Sequence, residues 1–259
     1  MTISSVFASF DSDFAVVMID TNSEAKLGTF IFDRSLLAQG IEKAAELGAR
    51  GVVLKFFMDR EKSASGDKQF ADALRKVPVV LQARMDDTEA HPNPLPDRFF
   101  LKELQAKTKV SGSSGWIPLP AFAMGAADVG FVDFGSVEVP MLETYQGRTV
   151  KSLVVCCLEV GTGSRASFEK DYVASFGKKL LRLDNKYGIK ANRPMKDQLK
   201  YIPFHSLLAG EPEAAGVKGK VVIIGYDGAH IHSTTLPIGG VRAHRAFVYV
   251  LKSIYEQLE

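Results

Sequence analysis

Phe14-Ala-Val-Val-Met-Ile-Asp20 is an apolar run closed by a carboxylate. Its length and β-branched content suit a strand buried on both faces, as inside a parallel sheet. Working outward, Ser35 is a good helix cap, and Leu36, Leu37, Ile41, Ala44, Ala45 and Leu47 follow at helical spacing until Gly48 and Gly51 bracket the end. Val52-Val-Leu-Lys-Phe-Phe-Met58 reads as a second strand and residues 67–76 as a second helix, around Phe70, Leu74 and the nearby Val77. Pro78-Val-Val-Leu-Gln-Ala83 completes a βαβαβ unit, which implies right-handed crossovers and a parallel sheet. The expected fold is α/β, a three-layer sandwich with a mostly parallel central sheet.

Beyond this unit, residues 86–115 are polar and hold three prolines, which suits a long excursion over the surface. Gly130-Phe-Val-Asp133 suits a short strand and residues 150–160 a buried helix. Residues 179–183 and 188–191 flank Asp184-Asn-Lys-Tyr187 and suggest a hairpin. A basic and polar stretch covers 192–200, a short helix 204–209, and Gly219-Lys-Val-Val-Ile-Ile-Gly225 is the strongest strand of the chain. A last helix is expected over 241–258, with Ala246, Val250, Ile254 and Leu258 on one side. No repeat or linker divides the chain, so one domain over residues 1–259 is expected; the closing Leu258-Glu259 pair suits a native end and a cloning remnant equally.

With 46% hydrophobic and 24% charged residues, the 259-residue composition excludes disordered, collagenous and coiled-coil classes. A formal charge of +2, with both signs well mixed, gives no reason to expect a nucleic-acid partner. The start of the chain lacks the basic and apolar regions of a secretory signal, and residues 110–127 are too interrupted by Gly and Pro to span a bilayer. Cys156 and Cys157 are adjacent and read as buried thiols rather than a disulfide.

Three patterns could carry chemistry. Gly161-Thr-Gly163-Ser-Arg-Ala166 matches a dinucleotide fingerprint but falls outside the leading βαβ unit, where a glycine-rich helix exit is the simpler reading. His230-Ile-His232 places two imidazoles on one face of an extended segment beside Asp227, with His244 able to approach through the fold, which is a beginning of metal chemistry. Asp20, Asp59 and Asp227 lie at or just past the ends of predicted parallel strands, the edge where open α/β sheets bind ligands, and Arg60 and Arg84 follow strands there too. Helix capping is the more common use of such aspartates. The resulting candidate ligand-binding set is Asp20, Asp59, Arg60, Arg84, Asp227, His230 and His232. Its mixed charges suit a small zwitterionic or polar ligand, with no cofactor and no metal assigned.

The C-terminal third carries a family resemblance. Phe204-His-Ser-Leu-Leu-Ala-Gly-Glu211, Val217-Lys-Gly-Lys-Val-Val-Ile-Ile-Gly225, Thr235-Leu-Pro237 and Gly240-Val-Arg-Ala-His244 resemble, in order, the end of the type-two CHASE domain, a sensory extracellular domain associated with cyclases and histidine kinases. Val16–Asp20, Arg34, Gly48-Ala-Arg-Gly-Val-Val53, Pro118-Leu-Pro120, Gly130–Asp133 and Val150-Lys-Ser-Leu153 follow its order as well. There are departures: Lys55 stands where the family usually has Asp, arginines are missing from Val137-Glu-Val-Pro-Met141, Thr234 is inserted, and Arg245 follows His244 in place of Ala. The resemblance implies a non-catalytic sensor for a small-molecule ligand, on the periplasmic or extracellular side of the bacterial inner membrane. It also implies a membrane-anchored parent protein whose sequence continues into hydrophobic spans, and it leaves room for a homodimer. A soluble hydrolase using the strand-end aspartates, the histidines and a divalent metal is the alternative, and a dimerisation module without a ligand is a third.

Overall fold

The computed structural model describes residues 9–29, 33–102, 104–134, 136–169, 171–192 and 199–259. Most of the basic stretch expected at 192–200 falls on residues 193–198, outside the described residues.

Four of the expected strands share one sheet: β1 (Phe14–Ile19), β2 (Gly51–Leu54), β3 (Val79–Met85) and a fourth, with β4 (Asp128–Phe131) beside them. The fourth expected strand, β5 (Val221–Tyr226), sits between β1 and β2, in parallel register Phe14↔Val221 and Val221↔Gly51. β2 pairs in parallel with β3, and β3 with β4. Ile202–Pro203 adds a parallel edge beside β1. The expectation of a mostly parallel sheet needs a correction at Gly115–Trp116, which pairs antiparallel with Arg84 and Met85. The long excursion returns through that pair, and the seven-stranded sheet is mixed.

Every residue of β1, β2 and β5 is buried, so side chains alternate between two apolar clusters rather than between core and solvent. Val17, Ile19, Leu54 and Leu81 join one cluster with α1 (Arg34–Glu46), α2 (Ala64–Ala73) and residues of α4 (Phe204–Ala209). Val16, Met18, Val53 and Val80 join the other with α3 (Leu153–Thr162) and α5 (Ala243–Tyr255). At Gly130, a Cβ would come within 2.4 Å of the Leu153 Cα, so only glycine lets α3 seat this closely on β4.

Boundaries move where caps and turns outweigh periodicity. Asp33, not Ser35, caps α1, its carboxylate accepting the Ser35 N–H at 2.9 Å. Ser63 caps α2, which starts at Ala64, three residues before the expected start at Asp67. Val150 and Lys151 belong to a strand (Arg148–Lys151), and Ser152 then caps α3. Val241 and Arg242 belong to a hairpin, Ser233–Leu236 with Gly239–Arg242, that leads into α5. The hairpin expected around residues 184–187 does not form. Lys179–Arg182 pairs with Val173–Phe176 across a two-residue turn in which Gly177 takes φ +65°, while Gly188–Lys190 pairs with Glu138–Pro140.

Candidate functional site

Lys55 is the first residue past β2, and its N–H still donates to the Ile224 carbonyl at 3.0 Å. Strand alternation therefore places its side chain on the face shared with Val53, under α3 and α5, where an apolar residue belongs. Only 3% of Lys55 is exposed. Its Nζ lies 4.1 Å above the Phe247 ring, and among the described residues it has no carboxylate partner. Burial pulls its amine down from 10.5 to about 7. Gln82 extends from the neighbouring β3 on the face of Val80 and is also buried, with an Oε1 that lacks a hydrogen-bond partner.

These two side chains line a cleft at the C-terminal end of β2, β3 and β5. It has two lobes of about 440 and 460 Å³ that share Lys55, Phe57, Gln82, Arg84, His232 and His244. The first lobe runs beneath the Ser233–Arg242 hairpin and along α5; the second reaches Trp116 and Tyr226. His244 enters from the first turn of α5. Its Nδ1 accepts the Tyr226 N–H at 2.9 Å, so the proton resides on Nε2. Burial and the nearby Lys55 charge hold its pKa well below 6.5, leaving a neutral N–H donor. Arg84 is half-exposed, 5.3 Å above the Trp116 ring and 3.8 Å from Asp133. Asp133 accepts the Met85 N–H at 2.9 Å and is raised by burial. Behind it Glu143 is fully buried, and burial together with the Asp133 charge lifts its pKa well above the ordinary range.

The seven residues singled out in the sequence divide. Arg84, His230 and His232 line the cleft. Asp20 does not line it: it caps the helix Thr21–Leu27, accepting the N–H and hydroxyl of Ser23, both at 2.8 Å. Asp59 and Arg60 face one another at 3.5 Å at its margin, with Arg60 exposed. Asp227 is buried beneath the hairpin, 3.0 Å from Arg245 and 3.6 Å from Arg242. Among the described residues no group of three or more His, Cys, Asp or Glu could hold a metal ion. Gly161 and Gly163 close α3, where Gly163 takes φ +71° as a left-handed cap, so the glycine motif is a helix exit.

Lys55, Gln82 and His244 are the polar residues shared by both lobes that are missing from the sequence-derived set. Alternation from Val53 and Val80 was the available signal for the first two; His244 arrives only through the fold.

A family model described as the CHASE2 domain matches residues 2–257. The chain belongs to the CHASE2 domain family. CHASE2 is a sensory domain family of signalling receptors. No curated protein and no solved structure matches the chain. No helix among the described residues is long and apolar enough to cross a membrane.

Proposed function

We propose that this CHASE2 domain is the ligand-sensing part of a membrane-anchored bacterial receptor, held on the periplasmic or extracellular side of the inner membrane and not itself catalytic. Residues 1–259 are read as one domain, a three-layer sandwich, in keeping with the division of the core into two clusters on alternating residues. The observation that carries the sensing role is the cleft itself, where two buried polar side chains, Lys55 and Gln82, have unmet bonding capacity within a domain of a sensory family. Structural polar groups are satisfied from within, whereas recognition groups wait for a ligand.

The cleft also has a route to an output. Its first lobe is walled by Ala243, Ala246, Phe247 and Val250 of α5 and roofed by the hairpin that leads into that helix. A ligand seated there would bias the position of the C-terminal helix. The experiment is a thermal-shift screen of the purified domain against small polar metabolites. A ligand at one hundred times its Kd adds about 2.7 kcal/mol, several degrees for a domain of this size. Absence of any shift across amines, acids, sugars and amides would favour a ligand-free dimerisation module.

A further inference from the structure

The charges around Lys55 specify a ligand class. Cys157 lies behind it on α3, and burial pushes that thiol up to about 12, so it supplies no negative charge. Arg84 from β3, His232 from the hairpin and His244 from α5 face the shared part of the cleft, and Arg34 and Lys62 line the second lobe. Arg34 is already paired with Asp67 at 2.6 Å. Asp133 is the acidic residue among the lining groups, and Arg84 is its neighbour at 3.8 Å. Lys62 lies in the field of Asp33 and Asp67. Lys55 is then the lining cation without a carboxylate partner among the described residues; Phe247 lies under its Nζ, and Phe57, Phe134, Leu236 and Val250 line the same lobe. A single negative charge on an apolar body meets that arrangement; a dianion would carry one charge too many into it.

We infer that the cleft takes a small organic monocarboxylate with an apolar or aromatic body and a hydroxyl or N–H group. One carboxylate oxygen accepts from the Lys55 ammonium and the other from His244 Nε2–H, the body lies against Phe57 and Phe247, and the hydroxyl or N–H donates to Gln82 Oε1. This inference rests on the cleft being the sensing site. Because burial lowers the Lys55 amine to about 7, binding a carboxylate at neutral pH carries a fraction of a proton in with it. Affinity is then expected to fall as pH rises above about 7, where Lys55 loses its proton, and to fall again at low pH, where the ligand carboxylate takes one up.

The test uses the full chain with mandelate, phenyllactate and indole-3-lactate, each beside its primary amide, together with phenethylamine and inorganic phosphate. Thermal shift and calorimetry at pH 6, 7 and 8.5, in buffers of different ionisation enthalpy, read affinity and proton uptake. At least one hydroxy acid is expected to bind ten or more times tighter than its amide, with proton uptake at pH 7. Lys55→Met, which keeps the stem and deletes the charge, should lose that preference while remaining folded. Lys55 labelled at Cε reports the same event by NMR, its titration moving to higher pH when the acid is added. If phenethylamine or the amides bind and the acids do not, the ligand class is wrong while the sensing reading stands. Binding of phosphate alone would reassign the cleft to a tetrahedral oxyanion. If nothing in this panel or in the broad metabolite screen shifts the protein, the sensing reading falls as well. Acid binding that survives Lys55→Met unchanged would overturn the proposed contact.

Discussion

Lys55 and Lys151 are both buried lysines, and their surroundings are opposite. Lys151 Nζ is held by Asp128 and, at 2.8 Å, by Glu159, and Arg165 reaches the same two carboxylates at 2.8 and 3.0 Å. Two cations and two anions close a network that pins the strand Arg148–Lys151, β4 and α3 together. Lys55 is equally inaccessible but has no carboxylate partner among the described residues; an aromatic ring, a neutral imidazole and a buried thiol lie near it. The carboxylates raise the Lys151 amine above its ordinary range despite burial, whereas desolvation dominates at Lys55 and lowers it to about 7. One lysine stabilises the fold. The other is retained against it, which is the pattern of a group that serves binding.

The largest effect tests the Lys151 side. Lys151→Met should destabilise the domain by about 3–5 kcal/mol, because Asp128 and Glu159 would remain buried with only the mostly exposed Arg165 to compensate. Urea unfolding measures it, and a loss under 1 kcal/mol would make the network ornamental. At Lys55 the sign reverses. The folded-state pKa lies below the unfolded one, so the unfolded chain binds more protons between about pH 7 and 10.5, and stability rises with pH through that window. Lys55→Met should therefore gain about 1–3 kcal/mol at pH 6, and the gain should fade as pH approaches 10.5. A pH-independent difference would mean that packing, not charge, separates the two proteins.

These two lysines also show what the sequence could and could not reveal. Hydrophobic runs with β-branched residues located β1, β2, β3 and β5, because strands buried on both faces need no partner to be recognised. Lys55 lies in the middle of the Val52–Met58 run and stands out there only as a departure from the family pattern, although period-two alternation from Val53 assigns it to the α5 face. Register brings Gln82 alongside, and α5 delivers His244 from 189 positions beyond Lys55, which no local pattern encodes. Helix starts were displaced because Asp33 and Ser63 cap ahead of the apolar periodicity. The two-residue turn at Gly177 took Lys179–Arg182 away from the expected hairpin. Of the strand-end aspartates, Asp20 became the helix cap that its residue type favours, whereas Asp227 became a partner for arginines and Asp59 faces Arg60.

Glu143 sharpens the comparison from the acidic side. Its raised pKa means that the folded state keeps a proton the unfolded chain releases above pH 4.5. That contribution to stability is complete at low pH and is lost as pH rises toward the folded-state value. Glu143→Gln mimics the protonated form permanently. It should match the parent at pH 4 and exceed it by about 1 kcal/mol at pH 8, read from unfolding midpoints at both values. A mutant weaker at both would show that the carboxyl makes a contact the amide cannot.

The smallest effect concerns Asp20, which belongs with the satisfied groups despite its place at the end of β1. Its Oδ1 takes the Ser23 N–H and hydroxyl, Ser23 Oγ continues to His205 Nδ1 at 3.0 Å, and the Tyr201 hydroxyl donates to Oδ2 at 3.3 Å. Every bond runs to the protein, and Asp20 is absent from the cleft lining. Asp20→Ala should cost about 1 kcal/mol, the usual loss of an N-cap, and Asp20→Asn should recover most of it because the amide oxygen still accepts from Ser23. Neither variant should change the thermal shift produced by a cleft ligand at matched temperature below Tm, whereas Lys55→Met should abolish it. If Asp20→Asn folds like the parent but loses the shift, its charge serves the ligand. The sensing site would then extend from Lys55 past Tyr201 to the end of β1, and the division between satisfied and waiting polar groups would not be the division between structure and function.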